Sequence, residues 1–199
     1  MTTIYFVRHA IPNFNNHNDL TRELTAQGLE DRKRVTEFLW NRDIDAVLSS
    51  PYKRAVDTVK EFADAKGLEI KLIEAFRERK VESEWIEDFD AFCKRQWEDF
   101  DFKLSEGESL REVQERNISA LHQVSEAYNG KNVVIGSHGT ALSTIIHYFD
   151  PSFGYNEFMK IKNLMPWIVR FTFEGDRCVE IQKYNVSDEI ARSAYACEN

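Results

Sequence analysis

Three times along this chain a short apolar run breaks off at polar residues and gives way to a helical pattern. Ile4-Tyr5-Phe6-Val7 ends in Arg8-His9-Ala10. Asp45-Ala46-Val47-Leu48-Ser49 ends in Ser50-Pro51, with Arg54 in the first helical turn beyond. Val133-Val134-Ile135-Gly136-Ser137 ends in His138-Gly139. Short β-branched and aromatic runs alternating with amphipathic helices read as parallel strands covered on both faces. The expected fold is therefore α/β: a three-layer α/β/α sandwich around a mainly parallel sheet.

The rest of the chain keeps this alternation. The pattern predicts strands over 3–7, 45–49, 69–73 and 132–136, and near 167–173 and 178–184. A helix is expected from Thr25, a plausible cap, to Trp40, with Leu29, Val35, Phe38 and Leu39 on its apolar side. Another runs from Tyr52 to Lys66, its start marked by Ser50-Pro51 and its end by Gly67. A third covers Glu108 to Tyr128, where Glu108 can cap or open it, and a fourth covers 140–149. With four prolines and eight glycines in 199 residues there is no room for a long linker. Residues 1–199 are thus expected to form one domain, with a helical, cap-like insert at about 80–105.

Composition removes several function classes. A net charge of −8 argues against nucleic-acid binding, which needs a basic face. It also means that any positive field on an anionic substrate must be local to a pocket. No apolar run approaches the roughly 20 residues that cross a bilayer, so no membrane partner is expected. Cys93, Cys178 and Cys197 form no CxxC pair and read as free thiols of a reducing compartment. The chain opens directly on a strand without a basic and apolar leader. The expectation is a cytoplasmic protein, and a homo-oligomer is possible on this sequence.

The junctions carry the chemistry. Open α/β sheets bind ligands at the carboxyl ends of their strands, where Arg8-His9 and His138 fall. Charged residues at strand ends can be solvated and idle, but an imidazole beside a fixed guanidinium also suits a nucleophile held against an oxyanion such as phosphate. Phosphoryl transfer needs an in-line nucleophile, cations on the equatorial oxygens and a proton for the leaving oxygen. His9 is the expected nucleophile, neutral at one ring nitrogen while a backbone carbonyl holds the other N–H. Arg8 and Arg54 form the cationic clamp, and His138 adds a donor when a bound anion protonates it. Gly139 permits close backbone approach at a helix start whose free N–H groups suit an anion.

These segments, with Leu24-Thr25-Ala26-Gln27-Gly28, Leu48 to Thr58, Phe76-Arg77-Glu78-Arg79 and Gly107-Glu108-Ser109, keep one order from about residue 3 to about 185. In that order the chain resembles the histidine phosphatase superfamily, which includes cofactor-dependent phosphoglycerate mutases and broad phosphatases. The resemblance implies that Glu78 is the general acid, with Glu74, Glu82 and Glu84 as rivals. A carboxyl beside phosphate oxygens is repelled by them, which keeps a proton on it. It also implies that Asn15 contacts phosphate, although asparagine suits any turn. No metal and no cofactor is expected, since no HExxH or carboxylate-histidine spacing is present.

The resemblance leaves three functions open. One is a metal-independent phosphomonoesterase working on a small phosphorylated substrate through a phosphohistidine at His9. The second is a phosphoglycerate mutase. The third is a non-catalytic module that binds phosphorylated ligands, which would need neither nucleophile nor acid. Ala10 and Ile11-Pro12-Asn13-Phe14 depart from the mutase pattern, and the tail from Ser187 to Asn199 is acidic on balance where mutases carry a basic one. Both features favour hydrolysis. Residues 82–103 interleave Trp85, Ile86, Phe89, Phe92, Trp97, Phe100 and Phe102 with acidic residues. That stripe can pack a core, or it can form a cap over the site that selects the leaving group.

Overall fold

The computed structural model describes residues 1–82 and 86–186. Its strands are β1 (Thr2–Arg8), β2 (Ala46–Ser49), β3 (Ile70–Leu72), β4 (Asn132–Ser137), β5 (Trp167–Glu174) and β6 (Arg177–Tyr184). Its helices are α1 (Ala26–Leu39), α2 (Lys53–Lys66), α3 (Phe89–Glu98), α4 (Leu110–Ala127), α5 (Gly139–Phe149) and α6 (Tyr155–Ile161). The sheet order is β3-β2-β4-β1-β5-β6. The first four strands run parallel, and β5 and β6 add an antiparallel hairpin beside β1.

Alternation within β1 shows how both faces are covered. Tyr5 and Val7 pack with Val35, Phe38 and Leu39 of α1 and Val59 and Phe62 of α2. Ile4 and Phe6 point the other way, into a core with Ile118, Leu121 and Val124 of α4 and Leu142, Ile145 and Ile146 of α5. With a period of two, one strand feeds two cores, which is why its middle, residues 4–7, is apolar without interruption.

Local chemistry sets the helix ends. The Thr25 hydroxyl accepts the Gly28 N–H at 3.0 Å and fixes the start of α1. Gly67 ends α2 at φ +66°, in the left-handed region that suits glycine. α2 begins at Lys53, two residues beyond the proline, because Ser50 and Tyr52 are drawn into the turn after β2. At α4 the cap belongs to Ser109, which forms a reciprocal capping box with Glu112. Glu108, read as a residue that can cap or open that helix, pairs with Arg77 and Arg116 instead. Leu29 also departs from expectation and stays 39% exposed, leaving Gly28, Asp31, Val35, Phe38 and Leu39 as the buried side of α1.

The insert is short. Among its described residues, α3 is capped by Asp88 and sends Phe92 and Cys93 into the core on the α4–α5 side, with Trp97 and Phe102 packed against them. Trp97 also meets the rings of His147 on α5 and Phe158 on α6 at 5.7 and 5.8 Å. At these positions the aromatic stripe is core packing. Trp85, Glu84, Cys197 and the 187–199 tail lie outside the described residues. Cys93 and Cys178 are free thiols. No helix among the described residues is long and apolar enough to cross a membrane.

Candidate active site

The parallel pairing of β1 with β4 sets Arg8 opposite Ser137, so the residues that follow, His9 and His138, leave the sheet side by side. The His9 N–H donates to the Ser137 carbonyl at 3.1 Å, and the two imidazole centroids are 5.4 Å apart. β2 ends next to β4, and Ser50 continues this edge by donating its N–H to the Gly136 carbonyl at 2.8 Å. Three strand ends thus deliver His9, His138 and the turn that leads to Arg54.

His9 is held in one orientation. Its Nδ1 lies 2.8 Å from the carbonyl oxygen of Ala10. A carbonyl only accepts, so Nδ1 carries the proton and Nε2 keeps its lone pair. Burial, followed by the charges of Arg54 and Arg8, pushes the His9 pKa well below the usual histidine range. The ring is therefore neutral at neutral pH. The loop that bears it is pinned by the Ala10 N–H, which donates to Thr58 Oγ1 at 3.0 Å. Thr58 in turn donates to the Arg54 carbonyl at 2.7 Å, one turn back on α2.

The two arginines are buried and aimed differently. Arg8 Nη1 donates to the carbonyls of Ile161 and Leu164 at 2.6 and 3.2 Å, and Nη2 donates to that of Lys162 at 2.9 Å. Its Nε is buried and meets no hydrogen-bond partner among the described residues. Burial lowers its pKa to about 10, with Glu78 pulling the other way. Arg54 is 2% exposed, donates through Nη1 to the Asp19 carbonyl at 2.7 Å and pairs through Nη2 with Asp19 Oδ1 at 3.2 Å. Gly139 opens α5 directly against Arg8: a Cβ there would stand 3.1 Å from Cζ, Nε and Nη2.

His138 is fully buried, with Nε2 2.7 Å from Ser50 Oγ and Nδ1 meeting no partner among the described residues. Burial and then Arg54 keep its pKa well below the usual range. A buried guanidinium N–H and a buried imidazole nitrogen beside a neutral imidazole are groups that can bind an oxyanion.

Glu78 arrives from the segment after β3. One carboxylate oxygen accepts the N–H groups of Arg79 and Ala141 at 2.8 and 3.0 Å, and the other accepts that of Thr140 at 3.0 Å. Glu78 thus takes two of the N–H groups at the start of α5, those of Thr140 and Ala141, which the sequence reading had left for a bound anion. The Glu78 backbone is itself fixed. Glu108 pairs with Arg77 and Arg116, and Arg116 donates to the carbonyls of Ala75, Arg77 and Glu78. Those pairings bring the Glu108 pKa down to about 2 against the penalty of burial.

Asn15 is exposed, and its backbone N–H donates to Asn13 Oδ1 at 3.1 Å, closing an Asx turn made by Asn13. Among the described residues no group of three or more His, Cys, Asp or Glu side chains is placed to hold a metal ion.

The family description "Histidine phosphatase superfamily (branch 1)" matches residues 4–186. The chain belongs to this superfamily. Among curated members, it is 29% identical over 155 residues to phosphoserine phosphatase 1 of Hydrogenobacter thermophilus, covering 69% of this chain and 71% of that one. It is 27% identical over 160 residues to a probable phosphoglycerate mutase of Salmonella arizonae, covering 73% and 74%. Among solved folds, the phosphoserine phosphatase of Entamoeba histolytica in complex with 3-phosphoglyceric acid superposes with a TM-score of 0.74 at 21% identity. That likeness spans 94% of this chain and 99% of the other.

Within this superfamily member, the sequence reading passed over Ser50, Thr58 and Arg116. Thr58 had a visible signal, since a spacing of four places it over Arg54 on one helix face. Ser50 and Arg116 act through folded contacts across long stretches of chain, and sequence spacing gives no sign of either.

Proposed function

We propose that the protein is a phosphomonoester hydrolase that forms a phosphohistidine at His9 and needs no metal ion. The observation that carries this reading is the Nδ1–Ala10 hydrogen bond, which leaves a neutral Nε2 among buried cations. The substrate phosphate lies against Arg8 Nε, Arg54 and His138. His9 Nε2 forms a bond to phosphorus as the ester P–O bond breaks. The leaving oxygen takes its proton from Glu78, which enters this step as the carboxylic acid and leaves it as the carboxylate. Water then attacks the phosphohistidine, gives its proton to Glu78 and releases phosphate, which restores His9. The guanidinium groups neutralise the equatorial oxygens throughout, in a site where burial strengthens each interaction.

The names of the curated relatives support a small phosphorylated substrate of the phosphoserine or phosphoglycerate kind. The test is turnover of a phosphomonoester panel by purified protein in chelator, with rapid quench of a radiolabelled substrate. Acid-labile label on the wild type and none on His9→Ala is the expected result. Activity that needs an added metal ion, or label that persists in His9→Ala, would overturn it.

A further inference from the structure

The loop between β1 and α1 returns over the clamp. Its base is stitched by pairing of Pro12 with Leu24 and by the Thr25 N–H on the Ile11 carbonyl at 3.0 Å. Its neck is fixed by Glu23, whose two carboxylate oxygens accept the side-chain amides of Asn13 and Asn16 at 2.6 and 2.8 Å. The far end is tied to α2 by the Lys53 N–H, which donates to the Leu20 carbonyl at 3.0 Å. This framework places one carboxylate oxygen, Asp19 Oδ1, between two guanidinium groups. It stands 3.2 Å from Arg54 Nη2 and 3.2 Å from Arg22 Nη1.

Arg22 is well placed for more than a surface pair. Its side chain is 11% exposed, and its Nε is anchored on the Asn16 carbonyl at 2.6 Å. Its charge acts on both His9 and Arg54. A carboxylate oxygen shared by two guanidinium forks occupies the same kind of seat as a phosphate oxygen.

We infer that Arg22 is a further phosphate-binding residue, and that Asp19 holds the shared seat between Arg22 and Arg54 until the substrate phosphate displaces it. The inference rests on the phosphatase reading above, because it needs phosphate at Arg54. A tethered competitor lowers apparent affinity by the fraction of time that it holds the seat. Removing it tightens phosphate binding. Removing Arg22 loosens it, by about tenfold for one charge-assisted hydrogen bond.

The test is calorimetric titration of inorganic phosphate and orthovanadate into the wild type, Asp19→Ala, Arg22→Met and the double variant. Asp19→Asn, closer in shape, serves as a second probe, and thermal unfolding confirms that each variant is folded. Asp19→Ala is expected to bind severalfold more tightly. Arg22→Met is expected to bind about tenfold more weakly, and the loss should persist when Asp19 is already alanine. Weaker or unchanged binding by both Asp19 variants would make Asp19 a strut for Arg54 and overturn the inference. So would an Arg22→Met loss that vanishes in the double variant, since Arg22 would then act only through Asp19. A wild type that binds phosphate normally in either of those cases leaves the phosphatase reading standing. A wild type that binds neither ion overturns both.

Discussion

Ser50 Oγ accepts the Tyr52 N–H at 3.2 Å and lies 2.7 Å from Nε2 of His138, so a serine at the end of one strand sets the tautomer of a histidine at the end of the next. The buried hydroxyl needs an acceptor for its own proton, and His138 Nε2 is the one that it meets among the described residues. Donation to Nε2 places the imidazole proton on Nδ1, the atom left without a partner. In the proposed reaction His138 thereby offers an N–H to phosphate while remaining neutral. Ser50→Ala should free the tautomer and lower kcat/KM by about tenfold, the scale of one buried hydrogen bond to an ionised group. Steady-state kinetics beside a thermal melt checks this, and an unchanged kcat/KM would remove Ser50 from the argument.

Gly139→Ala should be more damaging than its size suggests. The added Cβ meets the Arg8 guanidinium at 3.1 Å, and that guanidinium is already fixed by three carbonyls and cannot step aside. A displaced Arg8 loses its alignment to phosphate. The expected outcome is a fall in kcat/KM of at least tenfold with the fold retained, measured by kinetics and circular dichroism.

Glu78→Gln separates proton donation from positioning. The amide sets an NH2 group against one of the backbone N–H donors that the carboxylate accepts, a loss common to all substrates. Only the difference between substrates reports the proton. Alkyl phosphates should lose about 100-fold or more, and an aryl phosphate with a good leaving group should lose far less. Equal losses would assign Glu78 a binding role.

Acid should destabilise the protein before its carboxylates titrate. His9 and His138 are both held neutral in the fold, with pKa values well below 6.5. The unfolded chain binds protons at these histidines from about pH 6.5 downward, when the folded protein does not. Stability therefore falls as pH drops below 6.5, by up to about 1.4 kcal/mol per pH unit for each histidine. Glu108 adds its own loss only between about 4.5 and 2. Urea unfolding at pH 7.5 and 5.5 should show the drop, and His9→Ala should reduce it. A flat profile would contradict the neutral assignment.

The strand-end junctions were legible in the sequence because a buried strand cannot hide Arg8, His9 or His138 without a use for them. The helix limits at Thr25 and Gly67 were legible too, since each rests on one local hydrogen bond or one backbone angle. α6 was not, because Tyr155–Ile161 is a single short segment whose apolar residues are too few for a periodic signal. The Glu78 seat on α5 was hidden for a different reason. It joins residues more than sixty positions apart, and no local pattern records which carboxylate folds back onto which helix. The place of Glu108 was misread on the same ground: a residue before a helix suggests a cap until Arg77 and Arg116 are seen beside it.

Because β1 and β4 are neighbours in the sheet, the backbone contact between His9 and Ser137 joins the start of the chain to its last third. Neither half of the sequence carries a working centre alone, and a nascent chain still lacking β4 has none. Such long-range closure comes late when a fold is assembled. A centre that holds both His9 and His138 therefore exists only once β1 has paired with β4.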